Sequence, residues 1–146
     1  MREADLDAVM KVENRSYPHP WSRGTMRDCL HAGYSAWVME HGHDIVAYAV
    51  LSFGPGEVHL LNLCVDPDVQ SKGLGRKMLR AMMRMAKLRN VDQMLLEVRP
   101  SNTAAVALYN SESFNEIGRR PRYYPAANGT REDAIVMAIE LSVTTL

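Results

Sequence analysis

A chain of 146 residues with 47% hydrophobic content, 17 basic residues and 17 acidic ones has room for one domain, residues 1–146, with a core of ordinary size. Zero formal net charge excludes a general attraction to nucleic acid or to an anionic membrane, so any nucleoprotein partner has to be recognised locally. No charged-then-apolar leader opens the sequence and no apolar run approaches about 18 residues, which argues against secretion and membrane spanning.

In chain order, Asp5 to Ser16 carries Leu6, Val9, Met10 and Glu13 at helical spacing, with Asp5 as its expected cap. Tyr17-Pro18-His19-Pro20-Trp21-Ser22 has two prolines and must be a loop, and Trp21 suits either a ligand wall or a core plug. Ser22 then caps a short helix, Arg23 to Ala32, ended by Gly33. Tyr34 to Glu40 and Ile45 to Phe53 form a hairpin across His41-Gly42-His43-Asp44, and Gly54-Pro55-Gly56 turns into a strand from Glu57 to Val65. The two turn histidines have no third ligand nearby, so no metal is expected.

The stretch Leu60 to Arg89 is the most informative. An apolar strand runs through Asp66-Pro67 into Gln70-Ser71-Lys72-Gly73-Leu74-Gly75, then into a helix with Met78, Leu79, Met82, Met83 and Ala86 on one stripe. Two glycines where backbone must come close, free N–H groups at a helix start, and the charges of Lys72 and Arg76 suit a pyrophosphate. Position 78 is Met78 rather than the third glycine of a dinucleotide fingerprint, and no GxxxxGK[ST] run exists. On the glycines alone, a plain strand-to-helix connection serves equally well.

Beyond the helix, Gln93 to Val98 completes a βαβ unit with right-handed crossover. Ser101 or Asn102 caps a helix to about Glu112, and Phe114 to Arg119 and Ala134 to Leu141 supply the last strands. The expected fold is α/β in the α+β sense: a mixed, mostly antiparallel sheet flanked by helices. Glu97 is an acid in an otherwise buried strand and needs a reason, which is either chemistry or a salt bridge to Arg99 on the same face. Tyr109 lies on a helix of small residues and is either a functional phenol or an aromatic anchor, and His59 is a further candidate base or a satisfied core histidine. Cys29 and Cys64 lie outside any ligand cluster and read as reduced, buried thiols of a cytoplasmic protein, and the ten methionines read as core filling.

Gln70-x-x-Gly73-x-Gly75, following a strand that ends in Val65, resembles the acetyl-coenzyme A loop of the GNAT superfamily of N-acetyltransferases. Pro20-Trp21-Ser22, Asn62 to Pro67, Gly73 to Arg76, Leu96 to Arg99, Ser101-Asn102, Ala107-Leu108-Tyr109, Tyr123-Tyr124-Pro125 and Glu132 to Ile135 narrow the likeness to the RimI-type ribosomal-protein alanine N-acetyltransferases. The resemblance spans nearly the whole chain. It implies a GNAT fold whose usual first strand is missing or vestigial here. It also implies Glu97 as proton acceptor, Tyr109 as proton donor, and acetyl-coenzyme A as cosubstrate with no metal. The residues it assigns to that cosubstrate are Leu63, Cys64, Val65, Ser71, Lys72, Gly73, Leu74, Gly75, Arg76 and Asn102, with Gln70 added from the superfamily motif. Arg122 and Tyr124 fall in the expected peptide-side wall.

The implied acceptor is the N-terminus of a small-subunit ribosomal protein beginning with alanine, in the cytoplasm, with no direct nucleic-acid or membrane partner. Composition says nothing of an oligomer. Transfer to a lysine or a small amine by the same machinery is a second reading, and a catalytically dead acyl-coenzyme A sensor or subunit is a third.

Overall fold

The computed structural model describes residues 1–70 and 72–141. Helix α1 (Leu6–Ser16) buries Leu6, Val9, Met10 and Val12, as their spacing requires. Asp5 does not cap it. Asp5 sits in a 3-10 turn, Glu3–Asp5, where its carboxylate accepts from the Arg2 N–H at 2.7 Å. Ser22 does cap α2 (Arg23–His31), accepting from the Thr25 N–H at 3.0 Å. No strand precedes α1 among the described residues, and the Met1 ammonium donates to the Ala36 carbonyl at 2.8 Å.

The strands are β1 (Ser35–His41), β2 (Asp44–Gly54), β3 (Glu57–Val65), β4 (Gln93–Val98), β5 (Asn115–Pro125) and β6 (Arg131–Glu140). They form one sheet in the order β1-β2-β3-β4-β6-β5. Among the described residues only β3 and β4 pair in parallel, as expected of strands joined through α3 (Leu74–Leu88). Helix α4 (Thr103–Ser111) follows β4.

Strand β2 is buried on both faces because helices cover both. Its Tyr48 and Val50 pack with Leu6, Val9 and Met26 of α1 and α2, while Ala49 and Leu51 pack with Met78, Leu79 and Met82 of α3. Alternation along a strand divides the core this way. Each of those α3 side chains contributes roughly 1.5–3 kcal/mol by leaving water.

Strand β5 runs longer than expected, past Pro121 to Pro125. It is an edge strand, where a missing N–H is tolerated, and the register with β6 shifts between Arg120 and Tyr124 to absorb the irregularity. Tyr123 and Tyr124 are thereby held on a strand rather than a loop. No helix among the described residues is long and apolar enough to cross a membrane.

Candidate active site

The site begins with a break in the sheet. Strands β3 and β4 pair only from Glu57↔Gln93 to Leu60↔Leu96, after which they diverge. On the other side of β3, Leu51 faces Leu60 and Val50 faces Asn62, leaving Leu61 as an extra, bulged residue. Between the diverging strands opens a cleft of about 1100 Å³.

Backbone groups line it. The Tyr17 hydroxyl donates to the Leu63 carbonyl at 3.0 Å and the Gln70 side-chain amide to the Val65 carbonyl at 3.1 Å, whereas the Asp66 N–H turns to Val46 in β2. N–H and C=O of one strand residue point the same way, so Leu63 and Val65 present their amides to the cleft and Cys64 presents its own to β2. The Cys64 thiol is buried against Tyr48 and α1, and burial raises its pKa. Its contribution is to the wall and the core. Burial also pushes the Tyr17 phenol well above its ordinary value, which keeps it a donor.

Gly73, Leu74, Gly75 and Arg76 form the loop end of the cleft at the start of α3. Gly73 has φ +76°, which favours glycine strongly, and a Cβ there would meet no atom within 4 Å, so open space lies beside the turn. Gly75 has no such backbone demand. A Cβ on it would reach 3.6 Å from Val65 and Leu108, an ordinary contact, so the fold alone does not exclude a side chain there. Open space, free helix-start N–H groups and inward strand amides together fit a pyrophosphate and a pantetheine chain.

Side chains expected at the coenzyme are partly occupied. The Arg76 guanidinium is paired with Glu112, which also takes Arg80 through Nε at 2.7 Å and Nη2 at 3.0 Å. Arg80 and then Arg76 hold the Glu112 carboxyl below its ordinary value against its burial. Asn102 lines the cleft, and its side-chain oxygen caps α4 at Ala105. Lys72 is exposed and outside the lining residues, and Ser71 lies outside the described residues.

Glu97 and Tyr109 both open onto the cleft. The Glu97 side chain is 17% exposed and paired with Arg120 of β5 through Nε at 3.0 Å. Arg99, the partner suggested by sequence proximity, goes elsewhere: it bonds Glu132 and the Pro125 carbonyl and lies over the Tyr124 ring. Burial, with Tyr124 nearby, raises the Tyr109 phenol above its usual range, and its ring packs on Phe114. Burial and the Glu97 charge push Tyr124 up to about 12. His59 is not among the residues lining the cleft, and no group of three metal-ligating side chains occurs among the described residues.

Two walls enclose the other arm of the cleft, and each is held by a carboxylate to which the sequence assigned no role. Glu13 of α1, 1% exposed, accepts from the Trp21 N–H at 2.9 Å, from Asn62 at 3.0 Å and from the Tyr48 hydroxyl, and so fixes the proline-rich loop. Its presence on the buried stripe of α1 was the available signal. Glu132 accepts from the Ser101 N–H at 2.8 Å, the Ser101 hydroxyl at 2.9 Å and Arg99 at 3.2 Å, tying the β5–β6 hairpin to the start of α4.

Burial alone would raise the Glu132 pKa, but Ser101 and Arg99 outweigh it and hold the carboxyl below the ordinary 4.5. A carboxyl depressed in this way adds stability that is complete above its unfolded value and lost as pH falls through its folded one. Between about pH 6 and pH 3 the Tm of the native chain is therefore expected to fall further than that of Glu132→Gln. Parallel curves would show that the clamp contributes nothing.

Comparison with known proteins agrees with this geometry. The model of the acetyltransferase (GNAT) family matches residues 6–114. The [ribosomal protein bS18]-alanine N-acetyltransferase of Escherichia coli strain K12 is 38% identical, over 98% of this chain and 96% of its own length. The protein of the same name from Haemophilus ducreyi is 37% identical, over 95% and 96%. The crystal structure of the ribosomal-protein-S18-alanine N-acetyltransferase from Escherichia coli superposes with a TM-score of 0.91, covering 99% of this chain and 93% of that one. A splayed parallel strand pair, a glycine turn with a left-handed residue and a matching family model lead to one conclusion: the chain belongs to the GNAT acetyltransferase family.

Proposed function

We propose that the chain transfers acetyl from acetyl-coenzyme A to the α-amino group of a small-subunit ribosomal protein beginning with alanine, in the cytoplasm, with residues 1–146 acting as one catalytic domain. The observation that carries the reading is near-full-length similarity to two bS18-alanine N-acetyltransferases, at 37% and 38% identity. The cleft supports it with Glu97 and Tyr109 on its lining.

Only a neutral amine is nucleophilic. An α-amino group with pKa near 8 is roughly a quarter neutral at about pH 7.5, whereas a lysine near 10.4 is on the order of 0.1% neutral, so an N-terminus asks less of the base. As the C–N bond forms, Glu97 accepts the amine proton, and the C–S bond breaks with its electron pair leaving on sulfur. The inward amides at Leu63 and Val65 hold the pantetheine chain and the developing oxyanion. Gly73 to Arg76 hold the pyrophosphate, with Lys72 adding charge outside.

Tyr109 faces the departing sulfur. Full proton transfer from an ordinary phenol to a thiolate near pKa 8.5 costs roughly 2 kcal/mol, and burial raises the Tyr109 phenol further. Its role is hydrogen-bond donation to the thiolate, with the final proton arriving from solvent. No covalent enzyme intermediate is needed.

The test is a peptide beginning with alanine and containing no lysine, incubated with acetyl-coenzyme A and weighed by mass spectrometry. One added acetyl group supports the reading. Acetylation confined to lysine or free small amines would replace it with the second reading, and coenzyme binding without any turnover would replace it with the sensor.

A further inference from the structure

Whole-chain neutrality conceals a strong segregation of charge. From residue 69 to residue 91 there is no acidic side chain, yet Lys72, Arg76, Lys77, Arg80, Arg84, Lys87 and Arg89 fall there, seven of the 17 basic residues. Lys77, Arg80, Arg84 and Lys87 recur at intervals of three, four and three along α3, which puts them on one stripe. The opposite stripe, Met78, Leu79, Met82 and Ala86, is buried in the core, so the basic one faces outward. Arg80 shares Glu112 with Arg76, and Arg89 lies over the Phe53 ring. Lys77, Arg84 and Lys87 are exposed and have no ion-pair partner among the described residues.

We propose that this face of α3 is a docking surface for the phosphate backbone of double-helical RNA. The choice of RNA rests on the ribosomal-protein reading above, because such a substrate is met beside structured RNA. The observations narrow the occupant further. A membrane would need the apolar face of the helix, which the core already occupies. Single-stranded RNA is held by aromatic stacking, and residues 69 to 91 contain no aromatic side chain. The coenzyme binds at the start of α3, whereas Lys77 to Lys87 extends about 15 Å along the axis away from it. A line of cations that can contact a duplex backbone without reading bases remains.

The experiment measures binding of a labelled RNA hairpin of about 16 base pairs by fluorescence anisotropy. The native chain is compared with the triple variant Lys77→Gln, Arg84→Gln, Lys87→Gln, whose changes are all at exposed positions outside the cleft. Native affinity is expected to fall roughly 50-fold between about 50 and 200 mM salt, as for about three phosphate contacts. The variant is expected to bind at least about tenfold more weakly at the lower salt, with a log–log salt slope smaller by about two to three. Its acetylation of a free alanine peptide and its KM for acetyl-coenzyme A stay as in the native chain.

Equal RNA affinity in the two proteins overturns the proposal. So does a raised KM for acetyl-coenzyme A with unchanged RNA affinity, which would assign the stripe to the coenzyme. Labelled polyglutamate binding the native chain as tightly as RNA would assign it to an acidic protein instead. Failure of both proteins to acetylate the peptide counts against the proposed function alone, because RNA binding is read without turnover.

Discussion

Replacing Glu97 with glutamine is expected to lower kcat by about 10² to 10⁴ on an alanine-starting peptide, the range by which a positioned general base accelerates proton transfer. In barrier terms that is about 3–5 kcal/mol. Glutamine keeps the length of the side chain and an oxygen that can still accept from Arg120, so the strand, the hairpin and the cleft keep their shape. Binding of acetyl-coenzyme A, followed by calorimetry, should therefore change less than about twofold. The comparison separates roles. Loss of turnover with intact coenzyme binding identifies a group acting at the amine. Loss of both would show that Glu97 holds the cleft open, and unchanged turnover would remove it from the chemistry and leave its pairing with Arg120 as its whole purpose.

That pairing shows where sequence reading stops. The helix stripes and the glycine turn were legible because they depend on neighbours in the chain: Met78, Leu79 and Met82 fall on one face by period, and Gly73 adopts φ +76° at the turn that needed a glycine. The placing of Glu97 and Tyr109 on one cleft came from motif resemblance and agrees with the geometry. What was not legible depends on register between distant strands. Arg99 lies two residues from Glu97 and was the natural partner, yet Arg120 arrives there from β5, across β6. The bulge at Leu61 likewise has no local mark, because it exists only in the pairing of β3 with β2. The strand expected to end at Arg119 runs on to Pro125, since a proline is tolerated on an edge strand. Cys64, expected at the coenzyme alongside Leu63 and Val65, lies on the cleft wall, and the alternation that turns its backbone to β2 is set by the pairing of β3 with β2.

Glu13 is the feature whose removal should disturb both stability and recognition of the acceptor. Its carboxylate is 1% exposed and serves three donors, the Trp21 N–H, the Asn62 amide and the Tyr48 hydroxyl, drawn from the proline-rich loop, β3 and β2. Glu13→Leu would leave all three in an apolar site with no acceptor. Each unsatisfied donor costs about 1–3 kcal/mol, partly offset by the added apolar burial, so a loss of about 4 kcal/mol in urea unfolding is expected. Glu13→Gln keeps one acceptor oxygen but turns an N–H₂ toward a donor, so about 1–2 kcal/mol is expected there. The gentler variant carries the functional test, because it folds. With the Trp21 loop loosened, KM for the peptide should rise several-fold while KM for acetyl-coenzyme A stays level, since the glycine turn is anchored by β3 and α3 rather than by this network. A role confined to stability would lower the unfolding free energy and leave both constants where they were. The same carboxylate therefore links the core beneath α1 to the shape of the cleft arm walled by the Trp21 loop, and the split between the two KM values tests whether that arm takes the peptide.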